Sequence, residues 1–187
     1  MILYNVIFFS LVLTQFSLKT NSHWRTLVFP IVLCLLFIFV GFRFEVDCDW
    51  FGYLIQWQHQ KDLPIQLALL NTDPTWWVMV DIIQSLGLSY PWLNVASSGI
   101  FFFGLHIIAR RQPDPLGFLV LLYPILIINM PMSGIRQAVA IGIMCFAITS
   151  FIDKRTFWFV TWTLLASTFH NSAIIFILLS PLVGENY

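Results

Sequence analysis

The sequence predicts an all-α, multi-spanning transmembrane helix bundle, and three observations carry that prediction. First, 59% of the 187 residues are hydrophobic and only 10% are charged, where a soluble domain carries about 25% charged residues. Second, mean hydropathy is +0.84, so there is too little polar side chain to cover a water-soluble globule. Third, the apolar residues fall into runs near the length that a hydrocarbon core requires, about 17–25 residues per helix. Nineteen Phe and eight Trp suit a chain that meets both lipid tails and the membrane interface.

The runs lie near 1–18, 27–42, 92–109, 116–130, 135–152, 157–169 and 173–183, and are expected to form a single membrane domain over 1–187. The first run lacks a basic leader and a small-residue cleavage site, so it is expected to stay as a span rather than act as a signal peptide. Residues 43–91 form one long polar connection, the expected external loop. Within it, 75–88 is apolar but short and carries Asp81 and Gln84, with Asp73-Pro74 as a helix start. If that stretch spanned the membrane, the basic pairs Arg110-Arg111 and Lys154-Arg155 would fall on the side opposite to Lys19 and Arg25. Reading it as a short re-entrant or interfacial helix collects all three basic loops on one side, which the positive-inside rule assigns to the cytoplasm.

Bulk charge argues against nucleic acid as a partner: nine basic residues balance nine acidic ones. Cys34, Cys48 and Cys145 have no disulfide or metal spacing, and Cys48 is the one expected to be reachable by a reagent. No Gly-x-Ser-x-Gly elbow, phosphate loop or dinucleotide fingerprint occurs.

Three polar constellations need a reason, and topology returns all of them to the outer boundary. In Gly41-Phe42-Arg43 followed by Asp47, Asp49, Gly52 and Tyr53, an Arg and acids crowd the end of a span. The residues alone allow a solvated interfacial loop. They equally allow an anion site, where a guanidinium fork grips phosphate and a carboxylate takes a hydroxyl proton. In Ser133-Gly134-Ile135-Arg136-Gln137, Arg136 opens an apolar helix. It either snorkels to the interface or faces a functional cavity, the usual setting of intramembrane ionisable groups. Phe169-His170-Asn171-Ser172-Ala173 is a polar break in which His170 either bonds nearby backbone or acts in chemistry. These groups are expected to form one cluster, with Arg43 and Arg136 opening into a common outer cavity.

In this order, these motifs together with Asp73-Pro74 resemble the EpsG family of Wzy-like polysaccharide polymerases, and the resemblance runs from about residue 1 to 181. It implies a bacterial inner-membrane glycosyltransferase of the lipid-carrier type, active at the external or periplasmic face. Such an enzyme joins undecaprenyl-pyrophosphate-linked oligosaccharides into exopolysaccharide, capsule or O-antigen. On that resemblance Arg43 and Arg136 are pyrophosphate-binding candidates, Asp47, Asp49 and His170 are catalytic candidates, and Trp50, Tyr53 and Gln137 are candidate sugar contacts. No cofactor or metal is demanded. Membrane lipid, a flippase and chain-length regulators are the implied partners besides the substrate. Family members usually continue through further spans after the His motif, so the resemblance also implies truncation of a chain ending at Tyr187. An O-antigen ligase, a lipid-linked-sugar transporter and an inactive fragment are the competing readings. The acid and base residues gathered at one face disfavour transport, which uses ionisable groups deep along a path.

Overall fold

The computed structural model describes residues 2–18, 23–46, 49–61, 64–70 and 72–184. Asp47, a catalytic candidate from the sequence, and Cys48 lie outside them. The described elements are all helical: α1 (Ile2–Ser17), α2 (His23–Gly41), α3 (Trp50–Gln60), the single turn α4 (Ile65–Ala68), α5 (Pro74–Ser85), α6 (Pro91–Ala109), α7 (Pro115–Leu122), α8 (Asn129–Met132), α9 (Ile135–Ile152) and α10 (Thr156–Phe169). A π-helical turn, Tyr123–Ile127, joins α7 to α8, and a 3-10 segment, Asn171–Leu182, follows α10. Pro124 explains the π turn: it has no N–H to give, so the ladder shifts register there.

Four helical stretches are long and apolar enough to cross a membrane: His23–Gly41, Pro91–Ala109, Pro115–Met132 and Ile135–Ile152. The 16-residue α1 and 14-residue α10 would each extend only about 21–24 Å, less than a hydrocarbon core of about 30 Å. Large apolar side chains such as Ile31 and Leu35 on α2, Leu121 on α7 and Ile125 in the π turn point outward, at 58%, 60%, 73% and 73% exposure. A belt of this kind suits lipid, not water. The chain is an all-helical membrane protein.

The bundle is organised about α6 and α9. These two helices make the most extensive packing among the described elements, with α2 against α6 and α10 against α9. Two small residues set their approach. A Cβ placed on Gly104 would lie 2.0 Å from the carbonyl oxygen of Gly142, and one placed on Gly142 would lie 2.6 Å from that of Ile100. Backbone therefore meets backbone, the arrangement that small residues permit between membrane helices. On one side of this pair, α1, α2 and α7 bury Leu33, Leu36, Phe101 and Leu119. On the other, α3, α5 and α10 bury Trp57, Trp76, Val80 and Phe159.

The two ends of the bundle differ. One gathers Arg25, Arg111, Asp114 and Asp153, with ion pairs of 2.6 Å for both Arg25–Asp114 and Arg111–Asp153. The opposite end carries the three polar constellations.

Candidate functional site

The long connection between α2 and α6 folds over this second end as α3, α4 and α5, and it does so by aromatic and polar contacts. Along α3, Trp50, Tyr53 and Trp57 are buried; their spacing of three and four residues places them on one face. Trp50 meets Tyr90 edge-on at 4.9 Å, and Tyr53 lies 5.7 Å from Trp76 of α5. Burial pushes the Tyr90 phenol up to about 12, although Arg43 opposes the shift. The phenol thus stays protonated and donates to the Trp50 carbonyl at 3.3 Å.

That face of α3 receives two guanidinium groups. Arg43 sits 5.9 Å from the Trp50 ring centroid and Arg136 sits 5.6 Å from that of Tyr53. Both are within the range of cation–π attraction. The two cations differ in their other contacts. Arg43 is 6% exposed and donates to the carbonyls of Pro131 at 2.6 Å and Val40 at 3.4 Å, and to Asn94 Oδ1 at 3.3 Å. Pro131 and Val40 lie in the last turns of α8 and α2, where carbonyls run out of ordinary helical donors; the Val40 oxygen otherwise takes only a long contact from the Arg43 backbone N–H, at 3.5 Å. A cation there answers both the orphan oxygens and the helix dipoles. Arg136 is more open, with a quarter of its side chain exposed.

Asp73 holds Arg136. One carboxylate oxygen lies 3.3 Å from the guanidinium, and the other accepts the backbone N–H of Asn171 at 3.0 Å. Asp73 begins α5 in the left-handed region, φ 64°, and does not cap its own helix. Strain at a non-glycine residue, combined with a carboxylate only 7% exposed, is the kind of local cost that functional sites retain. Sequence reading used Asp73 only as a helix start and as part of a family motif. The missed signal is the residue's position in a net-acidic loop facing a helix that opens with an unexplained Arg.

His170 follows α10. Its Nε2 lies 3.3 Å from the amide nitrogen of Gln137, one residue beyond Arg136. Its Nδ1 is shielded from solvent and has no partner among the described residues. Asp49 precedes α3, is exposed, and accepts the Ser133 hydroxyl at 2.9 Å. Segments before α3, before α5, around the start of α9 and after α10 thus converge.

Arg43 and Arg136 do not open into a shared cavity at this end as expected. A cavity of about 350 Å³ opens beside α3, bounded by Trp50, Trp57, Tyr90, Glu45, Gln58 and Lys61 among others, and neither Arg lines it. Arg43 is instead buried on carbonyl ends, because helix termini meet where it stands. Trp50 does reach this cavity. Tyr53 does not, and its ring is taken up by Trp76 and Arg136.

The arrangement offers a cation held by a carboxylate, an imidazole one residue away along α9, a surface carboxylate, and an aromatic-walled cavity. Comparison with curated proteins and with solved structures finds no match. The model of the EpsG family matches residues 26–187, which takes in every one of these groups. The chain belongs to the EpsG family, as a membrane protein related to polysaccharide synthesis.

Proposed function

We propose that this chain is a membrane glycan polymerase that joins undecaprenyl-pyrophosphate-linked repeat units in exopolysaccharide, capsule or O-antigen synthesis. In this reading the basic end faces the cytoplasm and the site faces outward from a bacterial inner membrane. The observation that supports it most is Arg136, held by Asp73 at 3.3 Å and adjacent in sequence to Gln137, which meets His170. Residues distant in sequence gather around this guanidinium, which is more open than Arg43 at the same end.

The chemistry follows from what must be made and broken. An acceptor hydroxyl attacks the anomeric carbon of the lipid-linked donor, forming a glycosidic C–O bond. The anomeric carbon–phosphate oxygen bond breaks, and its electron pair leaves with the pyrophosphate. Arg136 stabilises the charge that grows on that leaving group, with Arg43 behind it as a buried cation. A carboxylate, Asp49 or Asp47, accepts the hydroxyl proton. His170 donates to a phosphate oxygen or relays a proton. The cavity walled by Trp50, Trp57 and Tyr90, with Glu45, Gln58 and Lys61 as hydrogen-bonding groups, suits a sugar, which offers apolar ring faces and hydroxyl edges together.

Arg136→Lys tests the central role. A snorkelling cation works equally well as Lys, whereas a diphosphate clamp uses the planar, two-pronged guanidinium. Polymer formed in cells that supply the lipid-linked repeat unit is expected to fall about a hundredfold, the scale set by loss of one transition-state donor, with unchanged membrane insertion. Normal polymer from the Lys variant would remove Arg136 from the mechanism.

A further inference from the structure

We infer that the end of the bundle remote from the candidate site binds the phosphodiester of an anionic glycerophospholipid, in a cavity between α2, α6 and α7. The cavity measures about 880 Å³ and is bounded by His23, Arg25, Thr26, Phe29, His106 and Arg110, with Pro30 and residues 113–116 closing it. This volume falls within the usual range of small-molecule sites, about 300–1,000 Å³.

Its electrostatics favour an anion. Among the described lining residues the carboxylate is Asp114, and it is already engaged: Oδ1 receives Arg25 at 2.6 Å and the Gly117 N–H at 3.1 Å, and Oδ2 receives Gln15. Arg25 is committed as well, since each of its other two nitrogens donates to a carbonyl, Nε to Leu18 at 3.1 Å and Nη2 to Gln15 at 2.7 Å. This pair is neutral and fixed, so it shapes the wall without repelling an anion. Arg110 is different. It is exposed and makes no side-chain hydrogen bond or ion pair among the described residues, leaving its full charge and paired donors toward the cavity. His106, whose ring stacks on Phe29 at 5.6 Å, keeps an N–H donor in either charge state.

Two further features select a lipid headgroup over a free phosphate. Phe29 and Leu116, 5% and 4% exposed, give the cavity an apolar floor, and Leu27 and Ile31 on α2 are lipid-facing beside it. Pro30 stands inside α2 and has no N–H, so the Thr26 carbonyl one turn earlier lacks its helical donor. Both residues line the cavity. That carbonyl is an acceptor suited to a headgroup hydroxyl, while Arg110 takes the phosphate and acyl chains follow the outer face of α2. Basic pockets between helices at the membrane surface are established headgroup sites in general.

The test is native mass spectrometry of the full chain in detergent, with phosphatidylglycerol and phosphatidylcholine supplied equally. Phosphatidylglycerol is expected to be retained preferentially. Arg110→Gln, which breaks no described contact, should weaken that retention about fivefold, the effect of one basic residue near an anionic lipid. Arg155→Gln removes an exposed cation from the same end that does not line the cavity, and should leave retention unchanged. Equal retention of the two lipids overturns the inference, as does an equal loss in the two variants. Inorganic phosphate alone, raising the melting temperature as phosphatidylglycerol does, would overturn the assignment to a lipid.

Discussion

Asp73 and Arg136 meet at 3.3 Å across 63 positions of sequence, and the second Asp73 oxygen binds the Asn171 N–H. One carboxylate therefore fastens the starts of three segments: α5, α9 and the stretch after α10. Its cost is offset because both of its oxygens have donors. Asp73→Asn keeps the shape and tolerates the left-handed backbone, but removes the charge that Arg136 faces. The expected result is a stability loss of about 2 kcal/mol, within the range for leaving a partly buried hydrogen-bonding group unsatisfied. Thermal unfolding of the full chain in detergent measures it. A double-mutant cycle with Arg136→Gln should recover a coupling above about 0.5 kcal/mol; additive losses would mean the pair is only a surface contact.

Gly142 gives a second prediction on the packing that places Arg136. With its hypothetical Cβ 2.7 Å from the Phe101 Cα, even Ala forces α6 and α9 apart. Gly142→Ala should cost about 1–3 kcal/mol through overpacking, and Gly142→Leu should prevent stable insertion. Gly52, whose Cβ would meet nothing within 4 Å, should accept Ala with little change. Melting temperatures of the two Ala variants separate crowding from a general intolerance of glycine loss.

The all-helical class was legible because composition and run length act on the whole chain, and local errors do not accumulate. The site was legible only in part. Arg136 and His170 stood out as charge and polarity in apolar sequence, and both are found at the same end. The burial of Arg43 was not legible, since it depends on the ends of α2 and α8 meeting, a relation between segments 88 residues apart. Asp73-Pro74 does start α5, as the sequence indicates, but the Asp73 carboxylate is spent on Arg136 and Asn171, and those long-range contacts leave no local trace in the sequence. Pro124 gave no warning from pattern that the helix would switch to a π turn and then continue.

Orientation is the third prediction. Arg25 at the start of α2 and Arg110, Arg111, Lys154 and Arg155 in the connections gather at one end, and the positive-inside rule places such an end in the cytoplasm. Cys48 follows α2 in sequence and lies outside the described residues; the same rule, with α2 crossing the membrane, assigns it to the outer side. Cys145 is buried, and Cys34 lies within the span α2, where a charged reagent does not reach. A membrane-impermeant maleimide on intact cells should therefore label the chain at one position, and Cys48→Ser should abolish labelling. Labelling confined to inverted vesicles would reverse the orientation and place the site inside.

Asp114 and Asp153 give the final prediction, because the same ion-pair chemistry occurs in two settings. Burial pushes the Asp114 carboxyl up, but the Gly117 N–H, Arg25 and Gln15 outweigh it and hold its pKa below the ordinary value. The Asp153 carboxyl is lowered too, by its hydrogen bonds to Arg111, yet it is solvent-exposed and screened by salt. For either acid a depressed folded pKa means stabilisation that is present above the ordinary aspartate value, about 3.9. It is lost as pH falls through the folded value, because protonation is then favoured by unfolding. The contribution of Asp114 should be the larger, since it ties α7 to Arg25 on α2 and to Gln15 on α1, whereas Asp153 meets Arg111 at an exposed site. Asp114→Asn should lower the melting temperature at neutral pH by several degrees, about 1 kcal/mol or more for a charge-assisted bond lost at a part-buried site. Asp153→Asn should shift it little. Below about pH 4 the wild type should approach the Asp114→Asn curve, since both then lack the carboxylate. If the two neutral-pH shifts are equal, or if the gap between wild type and Asp114→Asn persists undiminished in acid, Asp114 is not the clasp that joins α1, α2 and α7.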